Sequence, residues 1–511
     1  MNKRAYIFCL VAAVIVATFV IGYNIGTDKQ SKKNNSQTNA KVIEKEGYWL
    51  QSVEGYIVVF ENDRATVVAS TEIPVSSLSK KEQDVLAEGF YFDTAEELFK
   101  FLEANTSWGI FTMKICIIGA GAAGMMAAIN VANENNEVFI LEHTSKIGSK
   151  IRISGNGKCN LTNESVSKEK YNNQDFADVV LNEFSVEDTK NFFYNCGLML
   201  KEKNGYYYPM SEQAASVIDV LQSELYKRNV KLITDFHITR MHRKDDKFII
   251  KGNNKEIIAD KLIIATGGKS AAKTGSDGSG YSYAKMFGHN IIKQVPGLTG
   301  IVCKNKICKS FAGVRTKATV TAFIEGASVY KETGEVQFTD YGLSGIPIFN
   351  CCNYISRVIN LEKDVEITVD FLPDIKSEDI EKFIITQKDN GKSVLYALKG
   401  MLPSKIANGI YEIVVNNCKK DSEYFISNII NFIKKFEFKA IDTRDYEQAQ
   451  VTCGGVDLSE INPKTMESKL VKNLYFAGEV VDINGLCGGY NLQFAWSSGA
   501  IAGKSCLYDK N

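Results

Sequence analysis

The sequence predicts an α/β protein, a parallel sheet covered by helices and interrupted by an inserted second domain. Three observations predict it. A strand, a glycine turn, a helix and a second strand open at Met113; a strand, a glycine turn and a helix follow Asn473; between them lies a long stretch of alternating apolar residues.

The first unit is "MKICIIGAGAAGMMAAINVANENNEVFILE", Met113 to Glu142. Ile115 to Ile118 is apolar enough for one buried strand, Met125 to Val131 reads as helix, and Val138 to Leu141 as a second strand ending at Glu142. Gly119, Gly121 and Gly124 stand at the G-x-G-x-x-G spacing. Gly119 permits the tight turn, Gly121 lets backbone approach a pyrophosphate, and Gly124 allows helix and strand to pack closely. The helix N-terminus presents unpaired N–H groups and a positive dipole end to phosphates. Glu142 is placed to accept hydrogen bonds from a ribose diol. This is a Rossmann-type dinucleotide unit, and alone it leaves FAD and NAD open.

Two later pieces decide between them. "KLIIATGGKS" is a strand running into Thr266, Gly267 and Gly268, a return of the chain beside a cofactor. "NLYFAGEVVDINGLCGGYNLQFAWSSGAIAG" starts with a strand, Leu474 to Ala477, then Gly478, Glu479 and Asp482. A glycine turn, Gly485 to Gly489, leads into a helix from Leu492 onward. There an acid meets ribityl hydroxyls and a helix N-terminus faces the electron-rich edge of a flavin. An enzyme using NAD alone has no need of this closing element, so the three pieces together imply FAD.

Four longer stretches resemble the BaiN-like flavoproteins, also described as aminoacetone-oxidase-family FAD-binding enzymes. They are "GSKIRISGNGKCNLTN", "ATGGKSAAKTGSDGSGYSYAKMFGH", "GEVQFTDYGLSGIPIF" and "TMESKLVKNLYFAGEVVDINGLCGGYNLQFAWSSG". The likeness runs from Met113 to about Lys504. It implies a Rossmann FAD domain carrying an inserted β-barrel and helical subdomain, and hydride transfer through flavin N5. In one class of members the reaction is C=C reduction in bile-acid intermediates; amine or ketone oxidation is the other expectation. Residue by residue, the resemblance puts Gly119, Gly121, Ala122, Ala123, Gly124 and Glu142 at the adenosine diphosphate. It puts Lys150, Ser154, Gly155 and Asn160 beside pyrophosphate and flavin, and Ile238 at adenine. Gly478, Glu479, Asp482, Gly489, Tyr490, Asn491 and Leu492 then form the flavin closure. Lys158 stands where members usually carry arginine, and Asp340 where many carry histidine, which removes one possible proton donor.

Composition excludes several other classes. Lys+Arg and Asp+Glu both number 60, so no basic surplus advertises nucleic acid. His143, His237, His242 and His289 are the only histidines, without metal-ligand spacing, so no metal site is expected. The twelve cysteines lack a C-x-x-C pair and argue for a reducing compartment. Cys303 and Cys308 share the spacing of flavin disulfide reductases, but stand far downstream of the glycine motif and read as packing residues. Cys487, inside the flavin turn, is the thiol to watch, with buried packing the favoured reading. Tyr281, Tyr341 and Tyr490 are the candidate proton donors, and no catalytic residue is assigned.

The FAD-binding domain is expected over residues 113–296 and 450–511, with the insert over 297–449. Within the insert, residues 300–371 alternate in strand fashion, predicting a barrel over 297–371, and a helical period covers 372–436.

In front of Met113 stand three further segments. Residues 1–25 read as a transmembrane anchor, because Ala5 to Tyr23 is a charge-free and mainly apolar run near the bilayer-spanning length of ~20 residues. Residues 26–46 form a polar linker. Residues 47–107 form a small α+β module, in which Thr94 and Glu97 suggest a capping box. Through "SSLSKKEQDVLAEGFYFDTAEEL" it resembles the C-terminal domain of bypass-of-forespore-C proteins, which implies an interaction or regulatory role. Lysines on both sides of the span leave its orientation equivocal; the kinship of the small module points outside, while FAD and the free thiols point inside, and a cytoplasmic FAD domain is the expectation. A fusion of two genes at Met113 is the alternative.

The expected protein is an FAD-dependent oxidoreductase acting on a small molecule. NAD(P)H, where used, docks transiently at the flavin, since no second glycine motif is present. A redox-sensing or RNA-modifying flavoprotein and an anchored interaction protein are the competing readings.

Overall fold

Five parallel strands lie side by side in the order Lys231–Ile233, Asn136–Leu141, Met113–Ile118, Lys261–Ile264 and Leu474–Phe476. In this computed structural model the described residues are 47–78, 80–95, 97–98, 101, 113–133, 135–419 and 424–507. They fall in two units, Met1–Thr112 and Met113–Asn511. The expected anchor at residues 5–23 and its linker lie outside the described residues. Among the described residues no helix is long and apolar enough to cross a membrane.

The central strands are apolar without alternation, as strands covered on both faces must be. Ile115, Cys116, Ile117, Leu262, Ile263 and Ile264 are all fully buried. The helix Ala122–Val131 lies against this sheet and against the helix Tyr490–Ser505. Gly499 and Gly503 rest on the backbone of Ala123 and Ala127, so no side chain fits between the two helices. That close approach carries the N-termini of both helices to the same end of the sheet, beside the strand ends.

The insert is a closed six-stranded barrel of Ile301–Cys303, Gly342–Ser344, Ala327–Phe338, Arg315–Ile324, Val365–Asp370 and Phe436–Thr443. Two expectations need correction. The barrel does not end at residue 371: its last strand, Phe436–Thr443, follows the helical segment and pairs with both Val365–Asp370 and Ile301–Cys303. Within the stretch read as strands lies a 14-residue helix, Ile346–Ile359. Ile348, Cys351, Cys352, Ile355 and Ile359 recur at helical steps and are buried in the barrel core, and a proline in the first turn starts the helix. Alternating neighbours on both sides mask that period in the sequence.

The smaller unit holds an antiparallel sheet in the order Val67–Pro74, Tyr56–Glu61, Tyr48–Val53, Phe90–Phe92, with a helix Lys80–Glu88. The Thr94 hydroxyl accepts the Glu97 N–H at 3.3 Å, one half of the expected capping box.

His289 is buried at the edge of the larger sheet. Its Nδ1 lies 2.9 Å from Glu460 Oε2 and its Nε2 2.8 Å from Ser468 Oγ. The Ser468 oxygen already accepts two backbone N–H groups, from Leu470 and Val471, so its hydroxyl proton points to a neutral imidazole. Ser468 does not line the large cleft, and the three groups form a structural tie. Burial lowers the His289 pKa below its ordinary 6.5, against the opposing pull of Glu460. The unfolded chain therefore binds this proton more readily than the folded one. The stability contribution is complete above pH 6.5 and is lost as pH falls from there through the depressed folded value. Denaturant midpoints measured across that window should fall in the natural protein and flatten in His289→Gln.

Candidate functional site

At the carboxyl ends of the parallel strands opens a cleft of about 570 Å³. The turn after Met113–Ile118 forms its floor, and Glu142, directly after the second strand, closes one end. The segment Ser149 to Asn160 and the turn Cys487 to Leu492 form its sides, together with Leu298, Gln450 and Val451 where the chain enters and leaves the barrel.

Gly119, Gly121, Ala122, Ala123, Glu142, Lys150, Ser154, Gly155, Asn160, Ile238, Thr266, Gly267, Gly478, Glu479, Gly489, Asn491 and Leu492 all line this cleft. Gly124, Gly268, Asp482 and Tyr490 do not. Gly124 packs against the Gly119 carbonyl, which leaves no room for a side chain. Gly268 presses on the Thr452 hydroxyl and the Glu479 carboxylate. The Asp482 carboxylate is turned away, paired with Arg357 and accepting the Gly454 N–H at 3.1 Å. Burial raises its pKa in spite of the arginine. Tyr490 packs edge-on against Tyr171, whose hydroxyl donates to the Tyr490 carbonyl at 2.8 Å.

The candidate phenols are displaced as well, because none of Tyr281, Tyr341 and Tyr490 lines the cleft. Tyr281 is buried, and desolvation, with the Glu479 charge adding, pushes its phenol far above the ordinary range. Tyr341 sits beneath the Arg444 guanidinium, 4.6 Å from its ring centre. Side chains the sequence did not single out stand in the cleft instead, among them Gln450 and Ser276. Cys487 lines it too, with Sγ 3.9 Å from Gln450 Oε1. Cys303 and Cys308 are buried in the barrel core, away from the cleft.

The charged groups are fixed in place. Glu142 accepts the Ala120 N–H at 2.9 Å through Oε2, and the N–H and hydroxyl of Thr144 through Oε1. Lys150 pairs with Glu479 at 2.6 Å, and the other Glu479 oxygen accepts the Thr452 N–H at 2.8 Å.

These surroundings fit a dinucleotide. A side chain on Gly121 would meet nothing within 4 Å, so its absence keeps open the space in front of the helix N-terminus. Asn160 Oδ1 and Ser276 Oγ are buried without a partner in the protein. Buried polar atoms are rarely left so, and a ligand rich in hydroxyl and amide groups would satisfy both.

A Rossmann sheet, a glycine cradle, an acid behind the second strand and a closing strand–turn–helix define an FAD-dependent oxidoreductase. The chain belongs to a known family of these flavoproteins: the family described as "HI0933-like protein Rossmann domain" matches residues 113–505. It is 37% identical to a 3-dehydro-bile acid delta(4,6)-reductase of Clostridium scindens, over 77% of this chain and 98% of the relative. It is 33% identical to a ribosomal RNA dihydrouridine synthase of Haemophilus influenzae, over 75% of this chain and 95% of the relative. Among solved structures, a 3-ketosteroid-delta4-(5alpha)-dehydrogenase of Rhodococcus jostii aligns at 12% identity with a TM-score of 0.39, covering 78% of this chain and 97% of that one.

Replacing Glu142 by Ala should weaken FAD binding by about 1.5–3 kcal/mol, the range for hydrogen bonds to a charged acceptor. Titrating apoprotein with FAD measures it. Unchanged affinity would leave Glu142 as a tie between the Ala120 turn and Thr144 alone.

Proposed function

We propose that the protein reduces a carbon–carbon double bond conjugated to a carbonyl group in a small organic molecule. The observation that carries this reading is the position of Cys487, a proton-bearing thiol in the wall of the cleft. The relatives support it, because a bile-acid delta(4,6)-reductase and a dihydrouridine synthase, unlike in substrate, are both named for saturating a ring double bond.

In this reading the backbone around Gly119 and Gly121 and the N-terminus of the Ala122–Val131 helix hold the pyrophosphate of FAD. Glu142 accepts the ribose hydroxyls, and Ile238 lies at adenine. Thr266, Gly267, Gly478 and Glu479 follow the ribityl chain, while Lys150 supplies a cation beside it. Ser154, Gly155, Asn160, Gly489, Asn491 and Leu492 surround the flavin. FAD bound there would supply hydride chemistry, with NAD(P)H as its transient electron donor. Cys487 gives its Sγ proton to the carbon beside the carbonyl, and Gln450 orients that thiol through the S–H it accepts. Leu298, Val451, Ile483 and Leu486 exclude water from the reacting end.

An anaerobic screen decides the substrate. Pre-reduced protein is mixed with cyclic enones and uridine-containing RNA and flavin reoxidation is followed, while oxidised protein is mixed with simple amines and flavin bleaching is followed. Reoxidation by enones with appearance of the saturated ketone is the expected result. Turnover of RNA alone would overturn the small-molecule reading in favour of the one the Haemophilus relative suggests.

We also propose that residues 5–23 anchor the chain in a membrane, with the FAD unit on the cytoplasmic side and residues 47–107 as an interaction module. Every strand of the parallel sheet lies at or after Met113. A chain beginning at Met113 should therefore fold, remain soluble and bind FAD with full-length affinity. Colourless or aggregated protein would show that the front segment belongs to the enzyme's fold. Two separate bands on immunoblots of the native protein would favour the two-gene alternative.

A further inference from the structure

The helix Ile346–Ile359 belongs to the barrel by its apolar face, but its other face is polar. Asn350, Asn353 and Arg357 follow at steps of three and four residues and so form one line along the helix. All three reach into the loop that leads to the Tyr490–Ser505 helix. Arg357 donates to the Asp482 carboxylate. Asn353 Nδ2 donates to the Gly485 carbonyl at 3.0 Å, and Asn350 Oδ1 accepts the Cys487 N–H at 2.8 Å. Asn353 Oδ1 also accepts the N–H of Leu298 at 3.1 Å. Leu298 is a non-glycine residue at φ +49°, a conformation that needs support from its surroundings.

The Asn350 amide is itself held from behind. Its Nδ2 donates to Glu332 at 2.9 Å, and Tyr330 donates to the same carboxylate. Asn350 is only 4% exposed, and burying an amide is costly unless its bonds are made. Packing the barrel does not require polar residues along this line. None of the three lines the cleft, whereas Leu298, Leu486 and Cys487 do.

We propose that this helix is a positioning strut, in which Asn350, Asn353 and Arg357 couple the inserted barrel to the loop that closes over the flavin. FAD binding and the stability of this helix are then linked, and linkage is reciprocal. A strut that holds the FAD-competent loop must itself be stabilised when FAD binds.

The test uses the full chain with Asn350→Leu, Asn353→Leu and Arg357→Ala. Circular dichroism, FAD titration, the visible flavin spectrum and hydrogen exchange over residues 346–359 are measured with and without FAD. In the natural protein FAD should slow exchange in that helix. In the two leucine variants FAD affinity should fall about tenfold or more, since each leaves a buried partner unsatisfied. The FAD-dependent slowing should disappear and the flavin spectrum should shift, while Arg357→Lys should recover most of what Arg357→Ala loses. A purely structural role would lower melting temperature and move none of these flavin readouts. Folded variants with natural affinity, spectrum and protection would overturn the proposal, as would exchange in the natural helix that ignores FAD. If the leucine variants fail to fold, Arg357→Ala decides alone, because that side chain is 41% exposed and its loss leaves no cavity in the core.

Discussion

Replacing Gly121 by Val should yield a folded, colourless protein. The position has φ −86° and extended ψ, which any residue adopts, so the substitution strains no backbone. A side chain there meets no protein atom within 4 Å, and the space it enters is the cleft in front of the helix N-terminus. That space must admit a pyrophosphate whose oxygens take hydrogen bonds from backbone N–H groups. A branched side chain holds the phosphates off, and several charge-assisted bonds worth about 1.5–3 kcal/mol each are lost together. FAD affinity should fall by at least ~100-fold, about 3 kcal/mol. Absorbance of the purified protein and titration with FAD measure the loss, and circular dichroism checks the fold. A yellow Gly121→Val protein would place the dinucleotide elsewhere.

The neighbouring glycines make the contrast informative. Gly119 has φ +101°, and a side chain there would lie 2.5 Å from the Ala265 carbonyl oxygen. Gly124 rests directly on the Gly119 carbonyl. Substitution at either should cost the fold as well as the cofactor. One motif thus mixes two physical demands, and only Gly121 separates them.

How far the sequence could be read follows from the range of the physics involved. The dinucleotide end was legible because its parts are local: a strand, a turn whose glycines are needed by conformation or close approach, a helix start and Glu142 stand within thirty residues. The closing element was legible for the same reason. Asp482 and Tyr490 were not, because whether a side chain faces the cleft or the packing behind it depends on distant partners. Arg357 pairs with the first, and the ring of the second packs edge-on against Tyr171. The Phe436–Thr443 strand closes the barrel after more than sixty intervening residues, a non-local pairing that no periodicity announces. The three phenols failed on placement: Tyr281 and Tyr490 are buried, and Tyr341 is turned to Arg444. A tyrosine is legible as a possible donor, but not the direction in which the fold turns it. Gln450 and Ser276 carry no signal of their own, since each gains its place only when the barrel junction and the Thr266 turn meet around the cleft.

Cys487→Ala should lower the rate of substrate reduction by ~10²–10⁴-fold, the contribution of a positioned proton donor. Reduction of the protein by NAD(P)H should stay near the natural rate, because that half of the cycle asks no proton of this thiol. The substitution is conservative for the loop, since the Cys487 N–H is held by Asn350 through backbone, which alanine retains. FAD affinity should accordingly change little. Burial, with the charge of Glu332 adding, pushes the Cys487 thiol up to about 12 from an ordinary 9.0. The donor thus stays protonated where a surface thiol would have ionised, and a protonated thiol is still a far stronger acid than the carbon acid it protonates. The rate of substrate reduction should therefore show no break near pH 9 that belongs to a thiol, and alkylating reagents should react slowly at neutral pH, since the thiolate is the nucleophile. Cys487→Ser retains a donor of similar shape and should recover part of the lost rate. Single-turnover measurements of the two half-reactions separate the possibilities. Equal slowing of both would mean that the loop had moved. Unchanged substrate reduction in Cys487→Ala would take the proton from solvent and remove the thiol from the reaction.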